Sequence, residues 1–290
     1  MRIDTGSWHR YMALPAFLLF SLFFLFPLLQ GAVLSFTDWD GFSTPRFIGM
    51  QNFVDFLQDA RALQDVRTTV LFALGSAPLL NLCGLALALL LNKKFHGRQA
   101  VRALLYLPAV ISPMIMGSIW YLLLQPKRGL LALFLTRAGV SGQGNWMLSS
   151  NLALAIIILV NVWQYAGMTM VIYLAGLQLI PKELYESAQI DGANGLWRFL
   201  HVTFPLLAAS VTVNVVLSLI GTMKVFVMIM VLTNGGPGFA TEVLNTYINN
   251  YAFAFGLYGY GTAANMILSV LILILGVPVL VFLRRREVEL

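Results

Sequence analysis

The sequence predicts an all-α, polytopic membrane protein with six transmembrane helices. Of its 290 residues, 59% are hydrophobic and 10% are charged, whereas a typical soluble domain is about 25% charged. Six apolar runs reach the length of about 18 residues that a membrane-spanning helix needs. These runs are continuous and do not alternate with polar residues, which favours helices over a transmembrane barrel.

Short polar segments separate the predicted spans. The spans are residues 11–36, 66–91, 101–124, 152–174, 204–232 and 262–283. The first run is too long for the apolar part of a signal peptide and no small-residue cleavage site follows it, so we expect a retained anchor. The expected organisation is an anchor helix with the first outer loop (1–65), a transmembrane core (66–283) and a basic tail (284–290). Short helices are expected at 52–57 and in the outer loop after the third span.

The distribution of lysine and arginine predicts the orientation of the chain. With both termini in the cytoplasm, the inner segments hold eleven basic residues and the outer segments hold six. The positive-inside rule favours this arrangement. It places residues 180–205 in the cytoplasm, and it explains the net charge of +6 without a nucleic-acid partner.

Residues 180–205, IPKELYESAQIDGANGLWRFLHVTFP, form the most polar stretch between two long apolar runs. Good helix formers occupy 182–190, and Asp191-Gly192 with Asn194-Gly195 then supplies residues that tolerate left-handed backbone angles. Pro205 can open the next helix but cannot lie inside it. The segment therefore predicts two short helices with a bend between them, docked on something larger because such helices are marginal alone.

Polar residues in the fourth span share one predicted helix face. Asn161, Gln164, Tyr165 and Met168 have the spacing i, i+3, i+4, i+7. A polar face in hydrocarbon turns toward protein or water. These groups either tie helices together by hydrogen bonds or line a solute pathway, and the sequence leaves both interpretations open.

The fifth span carries a second polar stripe. Asn214, Ser218 and Thr222 have the spacing i, i+4, i+8, and Lys224 is the one charged residue that lies away from the ends of the predicted spans. A lysine in a membrane is costly unless it is paired or faces water. Lys224 is therefore expected either to line the pathway or to brace the bundle.

No pattern in the chain predicts catalysis, a cofactor or a metal. Residues 139–142 read Gly-Val-Ser-Gly, as in intramembrane serine proteases, but Ser141 lies in a predicted outer loop while all three histidines lie on the cytoplasmic side. No phosphate-binding GxxxxGK[ST] loop is present, and no His, Cys or carboxylate cluster has metal-ligand spacing. The chain is therefore not expected to be an enzyme, and any ATP chemistry would come from a partner.

The cytoplasmic segment resembles the EAA loop of permease subunits in binding-protein-dependent ABC importers. That pattern reads EAAxxxG, nine residues and IxLP. Glu186, Ser187, Ala188, Gly192 and the tetrapeptide 202–205 keep every spacing. Serine replaces one alanine, and two replacements in the final tetrapeptide are mild.

The resemblance extends over nearly the whole chain. The segments FTDWDGF, FIGMQNFVDFL, LAGLQLIPKELYESAQIDGA and KVFVMIMVLTNGGPGFAT are similar to the carbohydrate-uptake, maltose-type branch, which implies a MetI-like fold. Val227 departs from the pattern, because relatives often carry an aspartate there.

The resemblance also implies partners. These are a second homologous permease, two cytoplasmic ATP-binding subunits and an extracytoplasmic solute-binding protein, assembled among the lipids of a bacterial or archaeal plasma membrane. In such importers the loop couples to the ATPase. Here Glu186 would meet a basic partner, Leu184 and Ala188 would fill apolar space in the ATPase groove, Gly192 would give the bend and Pro205 would stiffen the junction. Ser187 belongs to the same motif.

The same resemblance implies that solute ligands come from the helices on either side of the loop. The matching residues are Asn161, Trp163, Gln164, Tyr165, Asn214, Ser218 and Thr222. An indole can stack on a sugar ring while amides bind its hydroxyls, so a sugar or oligosaccharide is the expected solute. Alternatives are glycerol 3-phosphate or another small anionic or peptide solute, and a stand-alone secondary transporter, although no Asp or Glu lies within a predicted span.

Overall fold

The computed structural model of the protein describes residues 8–125, 129–137 and 149–287. Within these ranges the chain is built from helices and contains no strand, apart from one isolated bridge between Thr37 and Phe47. The predicted all-α class is therefore confirmed. Ser141, the N-terminal residues 1–7 and the end of the basic tail at 288–290 lie outside the described residues.

The described helices are numbered in chain order. They are α1 (Trp8–Phe20), α2 (Phe26–Leu34), α3 (Gln51–Gln58), α4 (Ala60–Asn92), α5 (Arg98–Val110), α6 (Pro113–Leu123), α7 (Leu130–Arg137), α8 (Ser150–Leu179), α9 (Lys182–Ile190), α10 (Gly195–Arg198), α11 (Phe204–Leu206), α12 (Ala208–Met223), α13 (Val227–Leu232), α14 (Leu244–Asn249) and α15 (Tyr258–Arg284). Three π-helical segments, Ser21–Leu25, Phe199–Thr203 and Asn250–Ala254, follow α1, α10 and α14. The short helices predicted at 52–57 and after the third span correspond to α3 and α7.

Four described helical stretches are long and apolar enough to cross a membrane. They are Ala13–Leu34, α4, α8 and α15. Two further spans are bent pairs, since α5 meets α6 at 95° and Gly195–Leu206 meets α12 at 68°. Six spans result when each bent pair counts as one.

The third predicted span, 101–124, is not one continuous helix. α5 ends at Val110, Ile111 and Ser112 are extended with ψ near 134° and 136°, and α6 begins at Pro113. A proline disfavours the helical region for the residue before it, and its missing N–H suits the first helical position. Pro113 therefore divides the apolar run.

The fifth predicted span, 204–232, is interrupted after Met223. Lys224 caps the end of α12, and the helix resumes only at Val227 as α13, which packs against α6 and α8. The amide of Asn245 donates to the Lys224 carbonyl at 2.8 Å. Lys224 is thus at a helix end and not, as predicted, inside a membrane-spanning helix.

The chain divides into two units, Met1–Ala60 with Tyr247–Ser269 and Arg61–Thr246 with Val270–Leu290. In the first unit, the Asn52 amide donates to the carbonyls of Ser35 and Thr37 at 2.9 and 2.8 Å. These bonds fasten α3 to the end of α2.

The second unit is closely packed at glycines. A methyl group on Gly84 would lie 2.5 Å from the Thr169 side chain, and one on Gly167 would lie 2.7 Å from the carbonyl carbon of Leu105. Small residues allow membrane helices to approach closely. Gly84 and Gly167 therefore allow α4 and α5 to pack closely against α8.

An ion pair closes the loop that follows α13. Arg61 binds Glu242 through two hydrogen bonds of 2.7 and 2.9 Å, and the guanidinium lies 3.7 Å from the centre of the Phe239 ring. Glu242 is 1% exposed. A buried carboxylate is tolerated when it is paired in this way, so the loop is fixed to the first turn of α4.

Candidate solute cavity and coupling segment

A cavity of about 440 Å³ lies in the second unit between α8, α12 and the break before α13. Six of the eight predicted pathway residues line it, namely Asn161, Tyr165, Asn214, Ser218, Thr222 and Lys224. Met168 and Thr169 of α8 and apolar residues such as Leu80 and Pro113 complete the wall. Two polar stripes separated by about fifty residues of sequence therefore meet at one site.

Trp163, which the family resemblance assigns to the pathway, does not reach this cavity. Its side chain is 50% exposed and packs edge to face on Trp120, with ring centroids 5.5 Å apart. Two residues correspond to about 200° around a helix, which directs Trp163 away from the face of Asn161.

Gln164 is also absent from the cavity lining. It is fully buried, and its amide donates to the Ile111 carbonyl at 3.1 Å. Ile111 terminates α5, where helix carbonyls lack their usual partners. Gln164 therefore braces the bend between α5 and α6, which is the structural one of the two roles left open by the sequence.

The hydroxyl of Ser218 is already engaged by the protein. It donates to the Val215 carbonyl at 3.1 Å and accepts from the Asn81 amide at 2.8 Å. The Tyr173 hydroxyl in turn donates to the Asn81 side-chain oxygen at 2.7 Å. Asn81 and Tyr173 were not predicted, although a single asparagine inside the second apolar run was a visible signal.

Two other polar residues of α12 are partly engaged. The Asn214 amide donates to the Thr169 carbonyl at 3.3 Å, and the Thr222 hydroxyl donates to the Ser218 carbonyl at 2.8 Å. By contrast, Asn161 is 4% exposed and its side-chain oxygen has no hydrogen-bond partner among the described residues. Asn161 therefore presents a buried acceptor whose desolvation is not compensated by the protein.

The described lining contains one charged side chain, that of Lys224, and no carboxylate. The cavity is consequently positive in formal charge. It has hydrogen-bonding groups suited to a polar solute and no carboxylate to attract a cation.

The segment 180–205 folds as predicted, into two short helices with a bend. α9 is followed by Gly192 with φ of +79°, and the Ala193 N–H donates back to the Ala188 carbonyl at 2.9 Å. Asn194 then caps α10 by accepting from the Trp197 N–H at 2.8 Å. Glycine is favoured at Gly192 because that φ is left-handed.

The predicted coupling residues differ in exposure. Glu186 and Ser187 are exposed and Leu184 is 37% exposed, whereas Ala188 is buried at 6%. Ala188 therefore packs within its own chain, contrary to the expectation that it fills apolar space on a partner. Pro205 lies in the first turn of α11, immediately before the 68° bend.

Tyr185 and Thr203 join the two ends of this segment. Their hydroxyl oxygens are 3.2 Å apart, and Thr203 is 5% exposed. Tyr185 also packs against the buried cluster that includes Leu177, Ile180 and Leu207. The sequence offered no distinct signal for this pair, because neither residue belongs to the conspicuous motif.

Residues 80–287 match the family model described as the binding-protein-dependent transport system inner membrane component. The chain belongs to this family of inner-membrane permeases. It is 32% identical over 286 residues, 99% of this chain and 97% of the relative, to the probable starch degradation products transport system permease AmyD of Thermoanaerobacterium thermosulfurigenes. It is also 36% identical to the trehalose/maltose transport system permease MalF of Thermococcus litoralis, over 78% of this chain and 76% of that one.

A solved structure resembles this permease over nearly its whole length. It is a bacterial alginate ABC transporter in complex with an alginate pentasaccharide-bound periplasmic protein, with a TM-score of 0.81 and 25% identity over 97% of this chain and 94% of the other. The comparisons confirm the predicted family and the MetI-like fold.

Proposed function

We propose that this permease is one of two homologous transmembrane subunits of an ABC importer that carries a sugar or oligosaccharide across the membrane. ATP would be hydrolysed by two partner subunits. Relatives are named for the transport of starch products, of trehalose and maltose, and of alginate, which supports a carbohydrate. The solved relative is in complex with a periplasmic protein, which supports an extracytoplasmic solute-binding partner.

The observation that carries the proposal is the meeting of six polar residues from α8 and α12 in one cavity. The unpartnered oxygen of Asn161 can accept a hydrogen bond from a sugar hydroxyl. Hydroxyl-rich solutes need several such donors and acceptors at short range. The cavity therefore suits a saccharide better than an apolar solute.

The link to ATP is the segment between these two helices. α8 leads into α9, and α10, α11 and the bend at Leu207 lead into α12. The exposed side chains of Leu184, Glu186 and Ser187 are available to a partner ATPase. The distribution of basic residues favours a cytoplasmic position for this segment and for both termini. Closure of the ATPase pair would then tilt α12 and reshape the cavity.

The test compares Asn161→Ala with Trp163→Ala in the importer assembled with its partner subunits in proteoliposomes. The probe is a mixture of labelled neutral and uronate oligosaccharides supplied with the binding protein. Uptake should require ATP, and Asn161→Ala should reduce it about fivefold to tenfold, the equivalent of one lost hydrogen bond. Trp163→Ala, outside the cavity, should leave uptake within about twofold. ATP-independent uptake, or a larger loss with Trp163→Ala, would reject the proposal.

A further inference from the structure

Resting on the proposed function, we infer that the transported saccharide carries an anionic group, a carboxylate or a phosphate ester, and that Lys224 binds it. The expected solute is therefore an acidic sugar.

The structure holds Lys224 in place at the edge of the cavity. Its N–H donates to the Ile220 carbonyl at 3.2 Å, and its carbonyl accepts the Asn245 amide at 2.8 Å. The backbone leaves the helix at this residue and enters α13 only at Val227. The side chain therefore starts from a fixed point in the cavity wall.

The charge of Lys224 is not neutralised by the described part of the chain. No carboxylate lines the cavity, and no described Asp or Glu forms an ion pair with Lys224. Arg61, by contrast, is paired with Glu242 at 2.7 Å. An exposed lysine in a cavity wall without such a carboxylate beside it can bind an anionic group of a solute.

The unpartnered oxygen of Asn161 distinguishes an acidic sugar from a simple anion. The buried oxygen of Asn161 lacks a partner, and a carbonyl oxygen can only accept hydrogen bonds. A small inorganic anion would place negative charge against that oxygen without donating to it. A sugar acid satisfies both groups, because its hydroxyls donate to Asn161 while its anionic group meets Lys224.

A purely structural role for Lys224 makes a different prediction. A lysine at the C-terminal end of a helix is favourable for the helix dipole and for the last carbonyls. If that were its function, replacing it would impair neutral and charged solutes equally. Selective loss of the charged solute separates the two roles.

The experiment measures uptake by the assembled importer with Lys224→Gln, Lys224→Arg and the control Arg67→Gln, which alters an exposed arginine outside the cavity lining. The probes are trigalacturonate, maltotriose and glucose 6-phosphate. Each variant is compared on the same probe with the same binding protein, so the selectivity of that protein cancels. Trigalacturonate and glucose 6-phosphate distinguish a carboxylate from a phosphate ester.

Lys224→Gln should lower uptake of the anionic probe by about tenfold or more, and Lys224→Arg should restore most of it. Maltotriose uptake, where present, and the Arg67→Gln variant should change by less than about twofold. Equal losses for anionic and neutral probes, or a wild-type importer that accepts maltotriose alone, would overturn the inference and leave the importer proposal intact. An assembled importer that takes up none of the saccharides would instead count against the proposed function.

Discussion

The contact between α5 and α8 offers a sharp test of the packing, through the substitution Gly167→Ala. Gly167 is buried, and the added methyl carbon would lie 2.7 Å from the carbonyl carbon of Leu105 and 2.9 Å from Cα of Tyr106. It would also collide with the Leu105 carbonyl oxygen. All three atoms belong to the backbone, so no side-chain rotation can relieve the clash.

The cost follows from the displacement that the clash requires. Carbon atoms pack comfortably at about 3.5–4.0 Å, so the two helices must separate by roughly 1 Å, a gap that already forfeits a quarter to a half of each contact. Overpacking of this kind destabilises proteins by about 1–3 kcal/mol, and we expect the upper part of that range. The melting temperature should fall by roughly 4–12 °C, since about 2–4 °C accompany each kcal/mol in larger domains.

Thermal unfolding of the detergent-purified permease, followed by far-ultraviolet circular dichroism, measures this effect. The matched control is Gly221→Ala, because no described atom beyond its chain neighbours and the backbone of its own helix lies within 4 Å of a methyl group added there. Alanine also favours a helix over glycine by up to about 1 kcal/mol, so the control should melt at or slightly above the wild-type temperature. A Gly167→Ala protein that melts with the wild type, or a control that falls equally far, would refute the packing argument.

Two predictions address coupling in the assembled importer. Tyr185→Phe removes only the hydroxyl beside Thr203. It should lower the ratio of solute moved to ATP hydrolysed by up to about fivefold, the equivalent of one hydrogen bond. Uptake and hydrolysis measured on the same vesicles give this ratio, and an unchanged ratio would argue against a coupling role for the Tyr185–Thr203 contact. Glu186→Lys should abolish uptake and capture of the ATPase subunits while the chain still inserts in the membrane, whereas the charge reversal Glu287→Lys in the tail should leave both intact. Normal transport by Glu186→Lys would remove that glutamate from the ATPase contact.

Local chemistry explains what the sequence could predict. Length and hydropathy identify spans because each must satisfy its own backbone groups in lipid. Turn residues likewise fixed the bend at Gly192, where a left-handed φ is required. The ends of the helices were predicted less well. α4 begins at Ala60, before the predicted span 66–91, because the polar residues ahead of that span include no helix breaker.

The sequence could not predict which of the proposed site residues lie outside the cavity, because contacts between distant segments decide this. Helical spacing groups Asn161 with Gln164, but the broken end of α5 provides an acceptor for Gln164 at Ile111, and only the folded chain brings them together. Trp163 was assigned through family resemblance, although two residues place it nearly opposite Asn161 on a helix.

The interruption at Lys224 could not be predicted from local residues. Neither proline nor glycine occurs in 224–232. The contact from Asn245 and the packing of α13 on α6 and α8 favour the break, and these are tertiary interactions that override helix propensity.

The contact between Tyr185 and Thr203 closes residues 185–203 into a ring. Without this contact the segment would be an open chain with Gly192 near its middle. It would bend under a small force and transmit little of a movement of α9. A closed ring deforms less, so a small displacement of α9 is transmitted to Leu207 and to the start of α12 with little loss. If a partner ATPase drives this permease, as we propose, a small displacement of that ATPase is therefore enough, and a loosened ring would waste ATP before it stopped transport.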